Sequence, residues 1–221
     1  MKILILFLFI SSTCIAQRSY FFDHMLEYQY EFYTDSSKNK NVYYFTNSKD
    51  NSYFARLEEK DSLNFNVLLV EHDRLRMEVL LKKQDIFQAE NLVIQCTYNW
   101  NGENHFKFRT REYAFISAAD TLIDNTSLQH YSLQYIAPRK RRTRHVGSNH
   151  YIIQDSTDFH LPLLTHPTAF EEWKEEKNIP NGIFREKIFY DHKNLINYRY
   201  ILKGYHRMEK SISVGEDCMR K

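Results

Sequence analysis

The sequence predicts a mainly β protein: an antiparallel curved sheet, open barrel or sandwich, with one short helix near residues 168–177. Three observations carry that expectation. Apolar and polar residues alternate with a period of two along most of the chain, which sends successive side chains to opposite faces of a strand. Aromatic residues make up 15% of the chain, with 16 Tyr and 16 Phe beside only 5 Gly and 4 Pro, a bias toward pleated, half-buried surfaces. Polar punctuation falls at 35–41, 47–52, 99–104, 124–127 and 154–158, so the runs between turns have the length of strands.

Each strand has its own alternation. Leu26, Tyr28, Tyr30 and Phe32 are interleaved with Glu27, Gln29 and Glu31; Leu75, Met77, Val79 and Leu81 are interleaved with Arg76, Glu78 and Leu80. Phe106 and Phe108 flank Lys107, and Tyr131, Leu133 and Tyr135 flank Ser132 and Gln134. The C-terminal part reads as a meander. A run over 183–190 meets a turn at Asp191–Asn194, a second run covers 195–202, a turn falls at Lys203-Gly204, and a third run covers 208–214. One segment differs. Pro167 to Lys177 opens on Pro, carries Glu171 and Glu172 early and ends before Asn178 and Pro180, the pattern of a helix with Phe170 and Trp173 on one side. No fixed repeat or linker divides the chain, so residues 17–221 read as a single β-rich domain.

The first sixteen residues read as an address. Lys2 precedes the apolar run Ile3–Ile10 and the small-residue exit Ser11-Ser12-Thr13-Cys14-Ile15-Ala16, the order of a secretory signal peptide. The run is shorter than the roughly 20 apolar residues a membrane-spanning helix requires, and no later stretch is long and apolar enough. Cys14 raises the rival reading of a lipid anchor, but Ser11 and Thr13 occupy the positions where bacterial lipoprotein signals carry Leu and a small residue. The expected product is therefore exported, periplasmic or extracellular. Loss of residues 1–16 removes Lys2 and leaves 29 basic against 28 acidic residues, a balance that argues against nucleic acid as a partner.

Catalytic motifs do not stand out. Gly-x-Ser-x-Gly, the P-loop and Gly-x-Gly-x-x-Gly are absent, and no catalytic residue or cofactor is predicted. His145, His150, His160 and His166 cluster loosely without metal-site spacing, so no metal is predicted; His160 and His166 with Asp158 would be the first candidates for one. The two cysteines of the exported chain, Cys96 and Cys218, either join across a long loop or stay apart, with Cys96 packing as a small hydrophobe. The basic run Arg139, Lys140, Arg141, Arg142 and Arg144 could grip an anionic envelope surface, or serve as a solvated loop or charged edge.

A signal peptide followed by aromatic strands and turns such as Asn47-Ser48-Lys49-Asp50-Asn51-Ser52 resembles exported Bacteroidota proteins of unassigned function. The strand pattern is also similar to the periplasmic lipoprotein-carrier fold, a curved sheet whose concave face is closed by helices. That resemblance implies an apolar groove and assigns no residues. The resulting expectation is a non-enzymatic binder of a lipid or other hydrophobic ligand or envelope component. In it Phe170 and Trp173 sit at the mouth of the groove, and Arg139–Arg144 steer anionic headgroups. A structural or adhesive surface protein is the alternative, and an envelope-polymer hydrolase the third reading.

Overall fold

The computed structural model describes residues 17–95, 98–105, 107–137, 145–215 and 218. The strands are β1 (Gln17–Phe32), β2 (Lys40–Asn47), β3 (Asp50–Glu59), β4 (Asn64–Glu71), β5 (Leu75–Lys82), β6 (Asn91–Ile94) and β7 (Tyr98–Asn101), followed by β8 (Tyr113–Ser117), β9 (Thr121–Ile123), β10 (Thr126–Leu128), β11 (His130–Tyr135), β12 (Ser148–Ile153), β13 (Phe184–Tyr190) and β14 (Ile196–Gly215). Two α-helices interrupt them, α1 (Lys83–Gln88) and α2 (Pro167–Glu176). Twelve strands form one sheet in the order β7-β5-β4-β3-β2-β1-β14-β13-β12-β11-β8, with β6 alongside β14. The sheet is antiparallel except where β6 runs parallel to β14, and it does not close into a barrel. β9 and β10 form a separate hairpin; its turn residues Asp124 and Asn125 both have positive φ (48° and 63°), as a tight primed turn requires.

The centre of the sheet is the long pair β1–β14, 16 against 20 residues. Both faces of the β2–β4 region are covered, so alternation there sorts apolar residues between two cores rather than between core and water. Leu57, Phe65, Val67 and Leu69 join Tyr20, Phe22, Phe45, Met77, Ile86, Ile212 and Val214 in the first cluster. Phe54, Leu68, Val70, Val42, Tyr44, Leu26 and Tyr28 form the second, with Leu163 and Ile183 packed over them. Tyr20, Phe22, Leu26 and Tyr28 share one parity yet divide between the clusters. The register break between Phe22 and His24 is where β1 changes face. Glu71 ties the first cluster together: it is buried, pairs with Arg18 and Arg74, and accepts the Tyr20 hydroxyl at 2.9 Å. Burial, then the Glu71 charge, push that phenol above its usual range.

Two expectations are corrected. The predicted turn at Lys203-Gly204 does not form; β14 runs through it, with a register break against β1 between Gly204 and Leu202. Phe108 lies in a 3-10 helix over Lys107–Glu112, exposed, rather than in an alternating strand; Phe106 lies outside the described residues. The short helix α1, with Ile86 in the first cluster, carries no sequence signal strong enough to predict a helix of six residues.

The predicted helix is present as α2, with Pro167 in its first turn and Lys177 closing it in the left-handed region at φ 50°. It belongs to the excursion between β12 and β13 that covers the second face. Gly182 anchors the return of this excursion. Its N–H donates to the His160 carbonyl at 2.7 Å, its φ is +148°, and a Cβ there would lie 2.4 Å from Ile153 Cγ2. Gly182→Ala is expected to lower the melting midpoint by roughly 5 °C, corresponding to about 2 kcal/mol of strain. Thermal denaturation checks this, and an unchanged midpoint would mean the excursion can shift away from Ile153.

Candidate functional site

The register break in β1 places Asp23 and His24 where the strand turns its side chains from one face to the other. Asp23 is a hub. Its carboxylate accepts the Ser48 N–H at 2.7 Å, the Ser48 hydroxyl at 2.5 Å, and His24 Nδ1 at 2.8 Å. Burial opposes the charge, but the hydrogen bonds from Ser48 and His24 outweigh it and hold the carboxyl below its ordinary range. The arrangement has the three residue types of a hydrolytic triad in the wrong order. A nucleophilic Ser must give its proton to His, with the acid behind the ring; here the carboxylate sits between the two and accepts the hydrogen bond of the serine hydroxyl. The trio is a clamp that ties the β2–β3 turn to β1.

The loop leading to α2 docks against this clamp. Leu161 N–H donates to Ser48 O at 3.0 Å, and the Asn51 side chain donates to Pro162 O at 3.0 Å. His160 is 1% exposed. Its Nδ1 faces Leu161 O at 2.5 Å and its Nε2 faces Thr46 Oγ1 at 2.9 Å. The geometry assigns the neutral Nδ1–H tautomer, with Nε2 accepting from the threonine. Its ring packs edge-on to His24, 5.4 Å between centroids, and Phe159 lies 5.4 Å from His24 and 6.3 Å from Tyr205. Burial drives the His160 pKa down to about 4.

Two open grooves share Asp23. One of about 430 Å³ is lined by Asp23, His24, Ser48, Lys49, Phe159, Tyr205 and Arg207. The other, of about 390 Å³, is lined by residues that include Phe21, Phe22, Glu90 and Met208. Phe21 is 63% exposed, and Phe159 and Tyr205 39% each. Between these grooves runs the middle of β14. Its outer edge pairs with β13 as far as Ile201 and with β6 from Ser211 onward, and among the described residues no strand pairs with it over 203–210.

Phe170 and Trp173 lie away from these grooves. Phe170 and Trp173 are buried in the third cluster with Phe115, Leu133, Tyr151, Leu164 and Phe184. Phe170 stacks on His72 at 4.1 Å, and Lys177 Nζ lies 3.2 Å from the Trp173 ring centroid. The apolar space between sheet and excursion, beside Tyr28, Tyr44, Leu163, Thr165, Phe184, Lys187 and Tyr200, is about 10 Å³, room for one water at most. The Lys187 amine caps it, donating to Thr165 Oγ1, and burial brings its pKa down to about 8. Among the described residues, Phe170 and Trp173 are packed into the third cluster.

Arg139, Lys140, Arg141, Arg142 and Arg144 lie outside the described residues, as do Cys96 and Cys14. Cys218 is buried in the first cluster and disulfide-bonded. Asp158 is exposed, and His166, which precedes α2, keeps surface in water although the atoms packed around its ring and then the Lys187 charge bring its pKa down to about 4. Among the described residues no three His, Cys, Asp or Glu side chains group as metal ligands.

No family model matches the sequence, and no curated protein matches it. Solved structures with a similar fold include MucB, at 6% identity and TM-score 0.41, where 90% of this chain aligns with 57% of that one. The Pseudomonas aeruginosa MucA/MucB complex gives 6% identity and TM-score 0.42 over 90% and 55% of the two chains. A Vibrio parahaemolyticus structure, described as an outer membrane lipoprotein-sorting protein domain, gives 7% identity and TM-score 0.28 over 85% of each. The chain therefore spans little more than half the length of MucB.

The His160 latch has a testable consequence. Its ordinary pKa of 6.5 applies when unfolded and a value of about 4 when folded, so the unfolded chain binds the extra proton. The latch contributes fully above pH 6.5, and its contribution is lost as pH falls toward 4, by an amount on the order of 3 kcal/mol. Urea unfolding should show that loss, and His160→Gln should be less stable at pH 7 yet lose less between pH 6.5 and 4. Parallel pH profiles for the two proteins would contradict the assignment.

Proposed function

We propose that this chain is an exported, non-enzymatic binding protein that holds the apolar part of a cell-envelope component in the two grooves flanking Asp23. The observation that carries the reading is the pair of grooves near 400 Å³, walled by the exposed rings of Phe21, Phe159 and Tyr205. Large apolar side chains left in water beside a few fixed polar groups mark a binding surface rather than a folding need. The order of Asp23, His24 and Ser48 supports binding over hydrolysis, because the serine proton is committed to a carboxylate.

The test uses residues 17–221 and an anilinonaphthalene sulfonate dye, an apolar anion. Binding should weaken by about tenfold in a Phe159→Ser, Tyr205→Ser double variant, consistent with losing roughly 1–2 kcal/mol of apolar contact, with the melting midpoint unchanged. Dye affinity equal to wild type would place the binding surface elsewhere.

Export has its own support in the Cys218 disulfide, a bond that persists in oxidising compartments. We infer that its partner is Cys96, the other cysteine left once residues 1–16 are removed. Protein isolated from an exporting host should weigh about two daltons less than the dithiol, and tryptic mapping should join the two cysteines. Reduction should cost on the order of 4 kcal/mol of stability. A full dithiol mass, or a map joining Cys218 to Cys14, would reject the pairing.

A further inference from the structure

We propose that the open stretch of β14 is a docking slot for an acidic, extended polypeptide segment, which adds to the sheet as a strand between β13 and β6. The inference rests on the binding reading above and gives its partner a chemistry. β14 lies in the middle of the sheet beside β1, yet among the described residues it is paired over 203–210 on the β1 side only. The gap has two closed ends. Arg185 Nη1 reaches the Leu202 carbonyl at 3.5 Å at one end, and Ser211 N–H donates to Glu90 O at 2.8 Å at the other. About eight residues at roughly 3.3 Å each make a slot about 26 Å long, the size of an ordinary strand. Unpaired N–H and C=O groups on such an edge template the pairing of another chain.

Charge selects the occupant. Lys203 and Arg207 stand exposed on the open stretch against Glu209, with His206 between them, while the Lys210 amine is held by the Ala89 carbonyl beside Glu90 and the Lys49 amine by the Phe159 carbonyl. Asp23 is already committed to Ser48 and His24. A second copy of this chain is a poor fit in the register centred between His206 and Arg207. There antiparallel self-pairing sets Lys203 opposite Lys210 and His206 opposite Arg207, and like charges directly opposite destabilise a ladder. A strand carrying Asp or Glu on alternate positions meets the cations instead. The acids would then lie on the face of Phe159, Tyr205 and Arg207, and its other side chains would turn toward the groove lined by Phe21 and Met208.

The experiment adds a capped octapeptide of alternating Val and Glu to residues 17–221 and follows binding by fluorescence anisotropy and backbone hydrogen exchange. Amides within 203–210 should gain protection. N-methylation of alternate peptide nitrogens, which leaves the side chains intact, should weaken binding by at least about tenfold, and so should replacing Glu with Lys. A Lys203→Glu, Arg207→Glu protein should reverse the preference toward the lysine peptide. Absence of binding, unchanged exchange at 203–210, or equal binding of the N-methylated peptide overturns the proposal. Protection at 203–210 that grows with protein concentration alone overturns it in favour of a self-paired dimer. The dye assay separates the two readings. Dye binding lost in the groove variants, without peptide-induced protection, keeps the grooves and rejects the slot. Protection with dye binding indifferent to those variants keeps the slot and rejects the grooves.

Discussion

The structure depends on one constraint: β14 is longer than any single neighbour on its outer side. Along its inner side it matches β1 almost end to end. Along its outer side it runs for 20 residues, and among the described residues β13 and β6 supply pairing only at the two ends. The inner ladder is not uniform either. Its two register breaks, near Asp23 and near Gly204, adjoin the section that lacks an outer partner. Such breaks increase local twist, and here they let one pair of strands present side chains to different cores at its two ends. Tyr20 and Phe22 serve one cluster and Leu26 and Tyr28 the other.

The excursion between β12 and β13 follows from the same arrangement. Covering the second face of β1–β4 leaves that region without a solvent face, which explains why β4 reads Val67-Leu68-Leu69-Val70, apolar at every position. The cover is held by polar bonds at its rim, from Ser48, Asn51, Thr46 and Thr157 to the loop and to the return at Ile183. Each is a side chain or backbone group that would be unsatisfied if the excursion lifted, so the docked state is specified by hydrogen bonds as well as by area.

Much of the fold was legible because strands write their pattern locally. The alternations through Tyr28, Met77 and Leu133 each became a strand, and Pro167 marked the helix that forms. The missed features depend on partners far along the chain. Lys203-Gly204 has the composition of a turn, yet β1 pairs through it and holds it extended. Phe170 and Trp173 were correctly placed on one side of a helix, but nothing local distinguishes a ring that lines a cavity from one that fills it. The candidate site was the least legible part. Asp23, His24, Ser48, Phe159 and Tyr205 come from four separate segments, and none belongs to a spaced motif. The available signals were weak: a charged residue interrupting an aromatic run at Asp23, and Phe159 standing among polar turn residues.

An unpaired length in the middle of a sheet differs physically from an ordinary edge. An edge strand can be shielded by twisting away, by charge or by shortness. β14 over 203–210 cannot twist away, because β1 holds its other side and β13 and β6 hold its ends. Charge is the remaining protection, and Lys203 and Arg207 supply it against neutral and basic strands. The same two side chains cannot protect against an acidic strand; they attract one. The apolar rings exposed on both sides of the gap reinforce that selectivity, since they add contact energy for whatever strand the charges admit. Protection from indiscriminate pairing and recognition of one class of partner are thus the same physical feature.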